Sequence, residues 1–137
     1  MSEIAFFDTN VLIYTDDLAN PEKQEVAVSL LNRYQRMNRV ALSLQVLQEY
    51  FNTLTRKLRV DPEFAQSKVE LLSQERVVCF KGADVISSIE LHRLNRISFW
   101  DAMIVHAARI SGASVLYTED LQHGSTMAGV RIVNPFL

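Results

Sequence analysis

The sequence holds one cysteine, Cys79, so no internal disulfide can form. That residue sits in the apolar run Val77, Val78, Cys79, Phe80, where a small buried thiol without catalytic duty is the expectation. Only 4 glycines and 3 prolines interrupt the 137 residues, which excludes collagen-like, low-complexity and linker-rich architectures. No apolar run approaches the ~20 residues that span a bilayer. The stretch Met1 to Phe7 lacks both the basic start and the long apolar centre of a signal peptide. A soluble, cytoplasmic protein with no membrane contact is therefore expected. Basic charge is scarce as well: 14 Lys and Arg against 16 Asp and Glu leave a net charge of −2. This is not the footprint of a protein that grips nucleic acid over its whole surface, so any such role must be local. A GxxxxGK[ST] phosphate loop, a GxGxxG fingerprint and a GxSxG elbow are all missing, which removes the common nucleotide-hydrolase, dinucleotide and serine-hydrolase readings. The histidines, His92, His106 and His123, have neither triad nor zinc spacing; packing or surface roles are expected, with His123 in a loop near the site.

What is present is an ordinary globular composition, 48% hydrophobic and 22% charged. One domain over residues 1–137 follows, burying roughly two thirds of its unfolded surface. Ile4 to Phe7 reads as a short strand ending at Asp8. Asn20 and Pro21 give a cap-then-proline helix start, with Val26, Leu30 and Tyr34 as its apolar stripe to about Met37. Val40 to Leu42 is a second strand. Ser43 then caps a helix whose inner face is Leu44, Leu47, Phe51, Leu54 and Leu58. Asp61 and Pro62 open another helix to about Ser73, Val77 to Phe80 is a third strand, and a helix from about Ala83 to Leu94 follows. Ser98, Phe99, Trp100, Asp101 has capping-box spacing before an apolar stretch, Ala102 to Ala108, that reads as a buried central helix stopped by Gly112. Val115 to Tyr117 and Val130 to Val133 are the fourth and fifth strands. Alternating short apolar strands and helices predict an α/β domain with a mainly parallel, helix-covered sheet, in which function gathers at the carboxyl ends of strands.

Four acids stand where that edge should be. Asp8 follows the first strand directly and is flanked by residues that want burial, so it caps a turn or helix or serves a site. Glu49 lies off the apolar ridge of its helix, where a solvated glutamate is the ordinary outcome. Asp101, at the third helical position, satisfies backbone donors and the helix dipole, which does not preclude holding an ion at the mouth of a buried helix. Of the adjacent Glu119 and Asp120 after the fourth strand, Asp120 is favoured to face the cluster, with Glu119 the ambiguous position. Crowded carboxylates repel, so such a cluster is either partly protonated or neutralised by a cation, and all-oxygen ligation suits Mg²⁺ or Mn²⁺.

The set Phe7, Asp8, Thr9, Asn10, Val11, Leu12, Ile13, then Glu49, then Ser98, Phe99, Trp100, Asp101, Ala102, then Leu116, Tyr117, Thr118, Glu119, Asp120 resembles the PIN-domain family, especially the VapC-type ribonuclease toxins of toxin-antitoxin pairs. The resemblance spans nearly the whole chain. It implies a three-layer α/β domain with a five-stranded, mainly parallel sheet of order 3-2-1-4-5. It also implies an acidic site of Asp8, Glu49, Asp101 and Asp120, with Glu119 as a further candidate metal ligand and Thr9, Ser43 or Thr118 orienting ligands. Expected activity is divalent-metal-dependent hydrolysis of RNA, with Mg²⁺ or Mn²⁺ activating water and stabilising the leaving oxygen. Expected partners are an RNA substrate, a small antitoxin and a second copy in a homodimer. For RNA, the basic groups Arg33, Arg36, Arg39 and Arg56, Lys57, Arg59 are candidate contacts, although both lie near helix ends that cations favour in any case. Two alternatives remain: a PIN-like module that binds RNA or protein without cutting, and an aspartyl-phosphate enzyme using Asp8. The latter lacks the second aspartate expected at position 10, which is Asn10.

Overall fold

The computed structural model describes residues 3–137. Ala5–Phe7 forms β1, whose three side chains are all buried, followed by the short helix α1, Thr9–Tyr14, and by α2, Pro21–Arg36. Val40–Ser43 is β2 and runs straight into α3, Leu44–Arg56, because Ser43 ends one and caps the other: its Oγ accepts from Val46 N at 3.2 Å. α4, Pro62–Leu72, leads to β3, Arg76–Val78, then α5, Gly82–Asn95, and α6, Phe99–Ile110. β4, Val115–Tyr117, is followed by a two-residue strand β5, Thr126–Met127, and by β6, Val130–Val133.

The sheet has six strands in the order β3-β2-β1-β4-β6-β5. All pairings are parallel except β5 with β6. The expected order is thus correct for the parallel part, with Val130–Val133 sixth in sequence rather than fifth. The extra strand is a hairpin partner. Ala128 and Gly129 both have positive φ (52° and 80°), the signature of a two-residue turn that folds Thr126–Met127 back onto Val130. Strands β1, β2 and β4 are buried throughout, which requires helices on both faces of the sheet. Among the described residues no helix is long and apolar enough to cross a membrane.

Two helix faces differ from the sequence expectation. On α2 the buried residues are Ala27, Leu31 and Tyr34, and Val26 is exposed. Steps of four residues advance about 40° each on a helix of 3.6 residues per turn, so Val26, Leu30, Tyr34 drifts off one face, whereas a step of four then three stays on it. On α3 the core side is Val46, Leu47, Tyr50 and Leu54, leaving Leu44 and Phe51 exposed. Tyr50 fixes that rotation, since its hydroxyl donates to Asp16 at 2.6 Å, and Asp16 also takes Lys68 from α4. Cys79 is exposed, not buried: the strand stops at Val78 and the chain turns outward before α5. α6 is the buried central helix, with Ala102, Ile104, Val105, Ala107 and Ala108 in the core. His106 is buried with them, between Asp84 at 2.9 Å and the Arg109 guanidinium at 2.6 Å. Because a guanidinium only donates, Nδ1 accepts from Arg109 and Nε2 carries the proton toward Asp84. Its role is packing, and it ties α5 to α6.

Candidate active site

Register brings the first two site groups together. In the β1–β4 pairing Phe6 lies beside Leu116 and Phe7 beside Tyr117. The ladder extends one step further through Asp8 N to Tyr117 O at 3.0 Å, so Asp8 comes level with Thr118. The Thr118 hydroxyl donates to Asp8 Oδ2 at 2.8 Å, and Thr9 N donates to Oδ1 at 2.7 Å. Asp8 is therefore the N-cap of α1 and a member of the carboxyl edge at once. It is 6% exposed. Burial pushes its carboxyl up to about 7, against the lowering effect of the two donors, and the neighbouring Asp120 and Glu49 charges push the same way.

The other acids arrive from different elements. α3 starts at the carboxyl edge because β2 ends there, and Glu49 projects from its second turn, where its Oε1 accepts from the Thr9 hydroxyl at 2.8 Å. α6 must return the chain to the amino end of β4, so its own N-terminus lies at the carboxyl edge. Ser98 Oγ accepts from Asp101 N at 3.0 Å, which seats Asp101 in that first turn. Partial burial raises the Asp101 carboxyl above its ordinary value, Ser98 works against this, and Asp120 and Glu49 add to the rise. Asp120 follows β4; its backbone N donates to Thr118 Oγ1 at 3.1 Å and its Oδ2 accepts from Asn10 Nδ2 at 2.9 Å.

Glu119 has a different set of partners. Its carboxylate accepts from Tyr14 Oη at 2.7 Å and from Lys23 Nζ at 3.0 Å. The adjacent acids thus differ in their partners, Glu119 being clamped to α1 and α2 and Asp120 held on Asn10. The clamp lifts the Lys23 ammonium above its usual value, chiefly through the bond to Glu119. Tyr14 is also raised, by burial first and Glu119 second.

Asp8, Glu49, Asp101 and Asp120 line one cleft of about 690 Å³, together with Asp17, Glu119, Thr9, Asn10 and Trp100. Among the described residues no three carboxylate or imidazole side chains are grouped tightly enough to enclose an ion. The oxygen-only donor set nevertheless suits a hydrated Mg²⁺, which is commonly held by one or two carboxylates plus substrate phosphates and not by a protein cage. Of the groups expected to orient ligands, Thr9 holds Glu49 and Thr118 holds Asp8, whereas Ser43 serves as the α3 cap. His123 is outside the cleft lining and accepts from Asn134 N instead. Among the basic candidates only Lys57 lines the cleft. Tyr14 and Lys23 are the residues that sequence reasoning missed, and Asn10 was named only as part of the Asp8 motif. Asn10 was visible beside Asp8, but its bonds to Thr118 and Asp120, more than one hundred positions away, depend on the β1–β4 register.

Fold and site define a class: a mainly parallel α/β domain whose carboxyl edge carries a cleft rich in acids, Asp8, Glu49, Asp101 and Asp120 among them. The family model described as PIN domain matches residues 5–126, and the chain belongs to that family. No curated protein matches the chain. Among solved structures, one described as a toxin-antitoxin complex from Klebsiella pneumoniae is similar at 20% identity, with 96% of this chain and 97% of that chain covered and a TM-score of 0.71. The Mycobacterium tuberculosis VapC20, described as a Sarcin-Ricin loop cleaving toxin, is similar at 21% identity over 93% of this chain and 98% of that one, with a TM-score of 0.67. VapBC2 from Rickettsia felis, bound to a DNA fragment from its promoter, gives 21%, 94%, 96% and 0.68 in the same order. At these identities the likeness is one of fold.

Proposed function

We propose that the chain is a single nuclease domain that hydrolyses RNA phosphodiester bonds with Mg²⁺ or Mn²⁺, and is the toxin of a VapBC-type pair. The observation that carries this reading is geometric: the Asp8 carboxyl, buried at a strand end, lines one cleft with Glu49, Asp101 and Asp120. A group in that position is costly to ionise unless a cation joins it. Asp8, Asp101 and Asp120 would hold the metal, with Glu49 beside them and Glu119 excluded by its clamp to Lys23. When bound, the ion supplies Lewis-acid stabilisation of phosphoryl charge and lowers the pKa of water. Thr118 and Thr9 keep Asp8 in one rotamer, Asn10 does the same for Asp120, and Ser98 fixes the helix turn that presents Asp101. A site prearranged in this way spends little reorganisation on reaching the reactive geometry. A small antitoxin as partner is supported by the toxin-antitoxin complexes among the structural neighbours, and pairing as a homodimer rests on the family resemblance alone.

The test is cleavage of an unstructured RNA by the purified chain with Mn²⁺ and with chelator. New RNA ends should appear only with metal, and Asp8→Asn or Asp101→Asn should abolish them while the protein stays folded. A second readout is independent of activity: Mn²⁺ at ~100 times its dissociation constant should add roughly 2.7 kcal/mol, several degrees in melting temperature, with a smaller shift in Asp8→Asn. Full cleavage by a folded Asp8→Asn protein would sink the proposal. RNA binding without cleavage under every metal condition would leave the non-cutting binding module.

A further inference from the structure

The cleft poses an electrostatic problem for a polyanionic substrate. Six of its lining residues are acidic, Asp8, Asp17, Glu49, Asp101, Glu119 and Asp120, and Lys57 is the single cation among them. Contacts from Lys and Arg to phosphates usually supply most of the sequence-independent affinity for nucleic acid. Here they are largely absent from the wall, so another interaction has to hold the substrate beside the acids.

Trp100 offers one. It lines the cleft yet is 63% exposed, an unusual position for the largest apolar side chain. It sits in the first turn of α6 immediately before Asp101, so its place relative to that acid is set by the Ser98-capped helix start. Phe99 packs edge-on against it, with ring centroids 5.3 Å apart, and braces the indole while leaving much of it open to a flat ligand. Tyr14, the other large aromatic of the cleft, is engaged differently: its hydroxyl is tied to Glu119 and its ring packs on Phe136 at 4.9 Å. Lys57, at the end of α3, is exposed and takes part in no ion pair among the described residues.

We propose that Trp100 is a nucleobase-stacking subsite and Lys57 the phosphate contact that accompanies it, so that one unpaired base of the RNA is splayed onto the indole next to the scissile bond. This rests on the ribonuclease reading and adds to it the residues that hold a base and a phosphate of the substrate. Base–aromatic stacking is strong, tolerant of sequence and indifferent to the charge of the wall. A duplex keeps its bases stacked on one another and cannot present a free face, so the subsite selects unpaired segments.

The chain has one tryptophan, and its intrinsic emission therefore reports on Trp100 alone. A short unstructured oligoribonucleotide, titrated into Asp8→Asn protein with Mn²⁺, should quench that emission to saturation, while the same strand in a duplex, or made abasic, should not. Measured by anisotropy, Trp100→Ala in that background should weaken binding about 10-fold and Trp100→Phe by less than about threefold. In the otherwise native protein Trp100→Ala should raise KM by a similar factor and leave kcat nearly unchanged. Lys57→Ala should reduce the slope of log Kd against log salt by about 0.7. RNA that binds with unchanged emission, or that binds Trp100→Ala as tightly as the parent, overturns the subsite. So does a Trp100→Ala protein that loses a coexpressed antitoxin but keeps its RNA affinity, which makes Trp100 a protein contact. In these cases cleavage of RNA persists; a native chain that neither binds nor cuts RNA removes the nuclease reading and the subsite together.

Discussion

Asp8 carries two duties that sequence reasoning set against each other. As N-cap of α1 it accepts from Thr9 N, and as part of the acidic edge it is buried beside Thr118. Both duties were legible as alternatives, because an acid ending an apolar strand must do one or the other. That they coincide follows from the direct β1-to-α1 junction, which composition does not reveal. The consequence for stability has a definite sign. The native carboxyl, near 7, lies above its ordinary value of 3.8, so the folded chain keeps a proton that the unfolded chain releases. Stability from this group is complete below about pH 4, declines as pH rises toward 7 and stays lost above it, a penalty on the order of a few kcal/mol. Asn caps helices as well as Asp does. Asp8→Asn should therefore melt above the parent at pH 8 in chelator, and the gap should close by pH 4. A gap that does not vary with pH, seen in circular-dichroism melts, contradicts the assignment. Asp8→Ala should melt below Asp8→Asn at either pH, having lost a cap worth about 1 kcal/mol.

At the scale of elements, the turn after β4 gives its two adjacent acids different partners. Thr118 Oγ1 accepts from Asp120 N, Asn10 holds the Asp120 side chain, and Tyr14 with Lys23 engages the Glu119 carboxylate. Asp120→Asn should reduce metal-dependent cleavage by about 100-fold or more, and Glu119→Gln by less than about 10-fold, since only the first loses a ligand charge. Lys23 is partly exposed, so loss of its ion pair should cost no more than about 1 kcal/mol after screening. Equal losses of cleavage in the two variants would show that the Glu119 clamp opens and that both acids serve. Element boundaries were readable from local signals: Ser43 and Ser98 cap, Pro21 and Pro62 start helices, and Gly112 with φ +85° stops α6. The rotation of α2 and α3 was not. Each helix carries two overlapping apolar stripes, and partners from other elements choose between them, as Asp16 does by accepting from Tyr50.

For the molecule as a whole, the mainly parallel, helix-covered sheet was legible in the alternation of short apolar strands with helices, whereas its order was supplied by the family resemblance. The hairpin strand β5 was not legible, because its turn is Ala128–Gly129 and lacks the Asn-Gly or Asp-Gly pair that marks such turns in a sequence. Cys79 misled because an apolar run was taken to be buried along its full length, whereas the edge strand β3 is too short to cover it. Chain order also distributes the site. Asp8 and Glu49 precede α5, Asp101 and Asp120 follow it, and the link between α5 and α6 is an exposed bend in which Arg96 adopts φ 55°. A break at that bend divides the acids evenly between two fragments, and what would rejoin them is the pairing of β1 with β4 and the packing of α5 on α6. Each fragment alone should leave RNA intact, and a mixture assayed with Mn²⁺ should cut it. The fold is in this sense a two-key lock, and joining each fragment to one of two other proteins would make RNA cleavage a signal of their encounter.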